Sequence, residues 1–129
     1  NSAKKESQSS IQVLTNARED VPDLNFSFTL SSNGIVLVNY NYFSIALPCT
    51  FCGRSGIATE IYLDGSLQST FVKDIENGAL ENIAGSSLVT VGPGNHNIKI
   101  MCKNSGPTIR VGKQFSDVNS EASFVVIPQ

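Results

Sequence analysis

The chain has 129 residues, a net charge of −2 and only 16% charged residues, against roughly 25% in an average soluble domain. That length makes one domain, able to bury about two thirds of the surface its unfolded chain exposes. Nine basic residues scattered along the sequence leave no electrostatic footprint for nucleic acid, and no apolar run approaches the ~20 residues of a membrane-spanning helix.

Ser, Asn, Thr and Gly replace the missing charge, a composition suited to turns and sheet surfaces rather than helices. No signal-peptide apolar region is visible and the chain begins at Asn1, so we expect a processed product or a piece excised from something longer.

Residues 1–10 (NSAKKESQSS) carry no apolar side chain beyond Ala3 and are expected to be a disordered lead-in or the end of a stalk, with residues 11–129 forming the domain. Ile11 to Leu14 suits a first short strand. Asn16 to Pro22 interrupts any regular pattern, because proline disfavours the α conformation at Val21. From Asn25 to Leu30 the residues alternate, Phe26, Phe28 and Leu30 on one face, which predicts a half-buried strand. Asn33-Gly34 is a hairpin turn signal.

Ile35 to Leu47 is apolar on both parities. Ile35, Leu37, Phe43, Ile45 and Leu47 make one set; Val36, Val38, Tyr40, Tyr42 and Ala46 make the other. Both faces should therefore be covered, one by the core of a two-sheet domain and the other by a second subunit. The alternative cover is a third layer formed by the N-terminal segment. Pro48 to Gly56 reads as a loop. Ile57 to Leu63 alternates, Asp64-Gly65 signals a hairpin, and Leu67 to Ile75 continues the meander. Ala79 to Ala84 suits a single helical turn.

Gly92-Pro93-Gly94 forces a chain reversal between Leu88–Val91 and Asn95–Cys102, since glycine tolerates positive φ and proline fixes it near −65°. A short strand near Pro107 to Val111, a polar loop from Gly112 to Ser120 and a last strand from Ala122 to Pro128 follow. The last strand is again apolar on both parities, with Phe124 and Val126 on one and Val125 and Ile127 on the other. Eight to ten strands at sandwich spacing, with no convincing helical period, predict an all-β fold of two antiparallel sheets.

Little supports catalysis, and a non-enzyme is expected. The one histidine, His96, shares a strand face with Ile98, Ile100 and Cys102, and a strand histidine among aliphatics is more often a packed residue than a base. Cys102 lies about 20 Å along an extended strand from it; only Cys49 or Cys52 could meet His96 through folding. An odd cysteine count argues against a disulfide framework, so reduced, partly buried thiols are the expectation. Two alternatives remain open: a Cys49–Cys52 or Cys52–Cys102 disulfide, and a Cys₃His zinc set of Cys49, Cys52, His96 and Cys102, for which C-T-F-C is a half-site. No metal or cofactor is otherwise expected. A ligand patch of exposed aromatic and amide groups would use Tyr62 with Asn39 and Asn41; Tyr40 and Tyr42, being mid-strand, suit a subunit interface better.

The run VPDLNFSFTLSS followed by GIVLVNY, the later EIYLDG, and VTVGPGNHNIKI near the end resemble tumour-necrosis-factor-like and complement-globular-head-like jelly rolls, above all those of bacteriophage fibres, virions and bacterial surfaces. The matching residues are Gly94, His96, Ile98 and Ile100, then Phe124 to Ile127. The resemblance implies a jelly roll of ten-stranded type that trimerises through its inner sheet, with no catalytic residues. The three cysteines depart from that pattern. The expectation is thus a non-enzymatic structural or attachment head on a virion or extracellular surface, a homotrimer joined through Val36, Val38, Tyr40, Tyr42, Phe124 and Val126, meeting a surface glycan or protein receptor. The alternative is a monomeric carbohydrate-binding sandwich module.

Overall fold

The computed structural model describes residues 2–46, 54–76, 80–114 and 119–129. Among these, ten strands run in chain order: β1 Ser2–Glu6, β2 Ser10–Val13, β3 Arg18–Leu30, β4 Gly34–Ala46, β5 Arg54–Leu63, β6 Ser66–Glu76, β7 Leu80–Val91, β8 Gly94–Asn104, β9 Ile109–Gly112 and β10 Glu121–Pro128. They form two antiparallel sheets. In the first, β4 pairs with β7 on one side and with β10 and β9 on the other, β1 and β2 extending β10 and β9. The second has the order β3-β8-β5-β6. The pairs β5·β6, β4·β7, β3·β8 and β1·β10 nest one inside another, which is a long hairpin rolled into a sandwich. The fold is a jelly-roll β-sandwich, in line with the sequence reading.

Turn chemistry follows the sequence at one of its two hairpin signals: Asn33-Gly34 does not close a hairpin but carries the chain from β3 in the second sheet to β4 in the first, with neither residue at positive φ. Asp64 and Gly65, at φ 50° and 84°, make the two-residue hairpin that joins β5 to β6, a turn whose twist needs positive φ at both positions. Two further local expectations are corrected. Residues 2–6 are not a disordered lead-in: they pair in register with β10, Ala3 opposite Phe124 and Glu6 opposite Glu121, because the free edge of β10 offers backbone partners that a polar segment can take without burying its side chains. The helical turn expected over 79–84 is instead the start of β7. From Leu80 onward that strand follows β4 rung by rung to Val91 opposite Gly34, which buries Ile83 and Val89.

The largest correction concerns β4. Val36, Val38, Tyr40 and Tyr42 do not face a partner subunit; they are 0–3% exposed and line the sandwich interior. Phe124 at 0% and Val126 at 8% lie with them, opposite Val38 and Val36 across the β10·β4 ladder. The outward parity carries Ile35, Leu37, Asn39, Asn41, Phe43 and Ile45 instead. Two amides mid-strand decide this, since burying Asn39 and Asn41 without partners would cost far more than leaving a few aliphatics half-exposed.

The two inner faces interdigitate through stacked rings. Phe26 lies 5.7 Å from Phe124 and 5.6 Å from Phe28, centroid to centroid, within the range in which aromatic pairs attract beyond their buried area. Buried polar contacts cross the gap: Tyr42 Oη and Thr59 Oγ1 are 2.5 Å apart, and Asn104 Nδ2 on β8 donates to the Val13 carbonyl on β2 at 3.0 Å.

Candidate functional site

The pairing of β3 with β8 is broken once. Asp20 sits opposite Met101 and Asn25 opposite Lys99, so the four residues between Asp20 and Asn25 face Ile100 alone. The strand bows outward to fit them. Val21 and Leu24, 1% and 0% exposed, anchor the two feet of the arch in the core. Pro22 and Asp23 form its crest, with Asp23 at φ 66°, a left-handed conformation that aspartate tolerates better than most residues. The arch is held in place from the β1–β2 segment. Ser7 Oγ donates to the Pro22 carbonyl at 2.5 Å and the Gln8 amide donates to Asp23 Oδ2 at 2.9 Å.

Beneath the arch opens a cleft of about 570 Å³, lined by Ser10, Asp20, Asp23, Asn25, Asn97 and Lys99 among others, with Ile100 at its floor. Its rim mixes carboxylate, amide, hydroxyl and ammonium groups over an apolar base. Lys99 Nζ stands 3.3 Å from Asp20 Oδ1, so the two charges compensate one another.

The cleft continues into an outward row across the second sheet. Asn25 on β3 is opposite Lys99 on β8, which is opposite Tyr62 on β5. At about 4.8 Å per strand this places an aromatic ring roughly 10 Å from the rim of the arch. Farther along, Asn97 Nδ2 donates to Ser27 Oγ at 3.1 Å and Thr29 Oγ1 donates to Asn95 Oδ1 at 2.6 Å. On the other side of Tyr62 the face is closed by Arg18, whose guanidinium donates to both oxygens of the buried Glu60 carboxylate at 2.5 and 3.0 Å.

His96 lies at the far end of β8. Its Nδ1 is 2.7 Å from Asp64 Oδ2 and its Nε2 2.8 Å from the Gly92 carbonyl. The Asp64 hydrogen bond raises the imidazole's pKa above its ordinary value, and the bonds from His96 and the Asn97 amide hold the Asp64 carboxyl below the usual range. With both ring nitrogens engaged, His96 has no lone pair facing a substrate. Cys102, on the same strand face, is fully buried and its thiol is pushed up to about 12 by burial. A thiol so buried stays protonated at neutral pH and is a poor nucleophile. His96 and Cys102 stand at opposite ends of β8, so the zinc set proposed from sequence does not form around them; its other two members, Cys49 and Cys52, lie outside the described residues.

The sequence-derived ligand patch is split. Tyr62 is on the outer face of the second sheet, whereas Asn39 and Asn41 are on the outer face of the first, at a separate hollow of about 300 Å³ with Lys4, Glu121 and Ser123. Strand parity gave both placements, but only the assignment of strands to sheets puts them on opposite sides. Sequence reading missed Asp20, Asn25, Asn97 and Lys99 as a group. The signal available was D-V-P-D beside an alternating strand, a proline in a run that otherwise pairs, which marks a bulge.

No family model matches this sequence, and no curated protein matches it either. Among solved structures, the chain is similar to a β-glucosidase from Paenibacillus barengoltzii (TM-score 0.42, 15% identity, covering 91% of this chain and 10% of that one). It thus spans about a tenth of that enzyme. It is also similar to the CBM36-1 domain of a multidomain xylanase from the hindgut metagenome of Trinervitermes trinervoides (TM-score 0.41, 12% identity, covering 89% and 99%) and to a family 35 carbohydrate binding module from Clostridium thermocellum (TM-score 0.41, 11% identity, covering 95% and 97%).

Proposed function

We propose that this chain is a non-catalytic carbohydrate-recognition module that binds through the cleft under the β3 arch and the adjoining outer face of β8 and β5. The cleft carries the reading: a concavity whose rim combines Asp20, Asn25, Asn97 and Lys99, groups that donate to and accept from vicinal hydroxyls. Tyr62 supplies the flat surface on which a sugar ring stacks. A glycan array followed by calorimetry tests it. Saturable binding weakened at least tenfold by Tyr62→Ala and by Asn97→Ala supports the reading; absence of binding across the array, or binding indifferent to both changes, refutes it.

A second reading, a homotrimeric attachment head on a virion or cell surface, is favoured by a different observation. The outer face of the first sheet exposes Leu88 at 68%, Ile127 at 44% and Val125 at 37%. These flank the half-buried Ile35 and Leu37 across β7, β4 and β10. Contiguous apolar groups on one face are what a self-assembly surface presents. In this reading the interface is that face, on the opposite parity from Val36, Val38, Tyr40 and Tyr42. Light scattering at micromolar concentration tests it: a trimer dissociated by Leu88→Lys supports it, and a monomer sinks it.

A further inference from the structure

We infer that His96 and Asp64 form a pH-operated staple that fastens the crossover between the two sheets and that releases when His96 loses its proton. The inference stands apart from what the domain binds. The turn at Gly92 and Pro93 carries the chain from β7 in the first sheet to β8 in the second. The Asp64-Gly65 turn closes the β5–β6 hairpin of the second sheet. The His96 side chain touches both turns.

A carbonyl oxygen only accepts, and so does an ionised carboxylate. With Nε2 2.8 Å from the Gly92 carbonyl and Nδ1 2.7 Å from the Asp64 carboxylate, both ring nitrogens must donate, which an imidazole does only when protonated. A neutral ring can keep one bond and must turn a lone pair toward the other acceptor. Asp64 is itself held twice more to β8: its Oδ1 accepts the Asn97 amide at 2.7 Å, and its own amide donates to the Asn97 carbonyl at 2.8 Å. The hairpin turn therefore stays docked when the ring deprotonates, and the Gly92 side is the one set free. Asp64 is the charged group facing the ring. From β3 the facing side chain is Phe28, whose ring centroid is 5.5 Å away, and from the β7–β8 turn the carbonyls of Gly92 and Pro93.

The direction follows. His96 is raised in the fold, so its contribution is complete below the unfolded value near 6.5 and disappears as pH rises through the folded value. Asp64 is lowered, so its contribution is present above its unfolded value and disappears as pH falls through the folded one. The staple is closed between those limits and opens toward alkaline pH at the β7–β8 turn.

The test is an NMR titration of the intact chain, reading the His96 imidazole nitrogens and the backbone amides of Gly92 and Gly94. The expected result is a His96 midpoint above 6.5, both ring nitrogens protonated below it, and the two glycine amides shifting with the same midpoint. Asp64→Asn should bring that midpoint down. A midpoint at or below 6.5, or glycine amides that ignore the His96 titration, overturns the inference; should Asp64→Asn fail to fold, the wild-type titration decides it alone.

Discussion

Tyr42→Phe separates an interior role for β4's even-numbered residues from an interface role. The change deletes one oxygen. Tyr42 is 0% exposed, and its hydroxyl lies 2.5 Å from Thr59 Oγ1, itself on a residue 0% exposed. Loss of an average intramolecular hydrogen bond costs about 1 kcal/mol, and leaving a buried hydroxyl without its partner raises this to about 1–3 kcal/mol. Taking ~1.5 kcal/mol and an unfolding entropy of about 2.1 cal/mol/K per residue, or ~0.27 kcal/mol/K for a chain of 129 residues, the melting temperature should fall by roughly 5–6 °C. Thr59→Val should cost a similar amount. The double variant should be less damaged than the sum by about 1 kcal/mol, because neither hydroxyl then remains to be satisfied. Thermal denaturation followed by circular dichroism gives the three values, and light scattering gives the mass of each variant. The reasoning fails if Tyr42→Phe leaves the melting temperature within about 1 °C of the parent while changing the oligomeric mass, since that is the behaviour of an interface residue.

Gly85→Ala should be destabilising, because a β-carbon there would overlap the phenol of Tyr40, a side chain 3% exposed that would have to shift; a melt unchanged from wild type would contradict the Tyr40 placement. Arg18→Ala strips the buried Glu60 carboxylate of a bidentate partner and should lower the melting temperature more than Lys4→Ala, which breaks a pair in which Lys4 is 68% exposed. In a Cys49→Ser/Cys52→Ser background, Cys102 should resist alkylation by iodoacetamide at pH 8 until denaturant is added, its thiol being buried and raised to about 12; prompt labelling of the native protein would refute that burial. Val38→Ala, at a site 0% exposed, should cost about 1–3 kcal/mol by chemical denaturation, whereas Leu88→Ala, 68% exposed, should fall within about 0.5 kcal/mol of wild type for the isolated chain.

Period-two alternation, the Asp-Gly turn and the Gly-Pro-Gly reversal were enough to place most of the strands and the all-β class, because those signals are local: they depend on backbone sterics and on which residues tolerate positive φ. The face of β4 was not local. Val36, Val38, Tyr40 and Tyr42 look as apolar as Ile35, Leu37, Phe43 and Ile45, and hydrophobicity alone assigns them to an interface as readily as to a core. Asn39 and Asn41 held the discriminating information, since a buried amide needs partners and an exposed one does not, and that information becomes decisive only once β7 and β10 are known to pair on either side of β4. The cleft is a still longer-range product. Pro22 announces a break in β3, but the four-against-one mismatch that opens the cavity depends on β8, some eighty positions away in the chain. Its shape depends on Ser7 and Gln8, read from sequence as part of a disordered lead-in. Likewise His96 could be judged a wall residue from its neighbours, yet the carboxylate and carbonyl that bond its ring come from two turns that only the rolled hairpin brings together. Sequence alone thus determined most of the strands, because their causes lie within a few residues; the tertiary structure decided β1 and the start of β7, which form on the edges of β10 and β4, and which faces meet, because partners far apart in the chain set what each polar group can bond to.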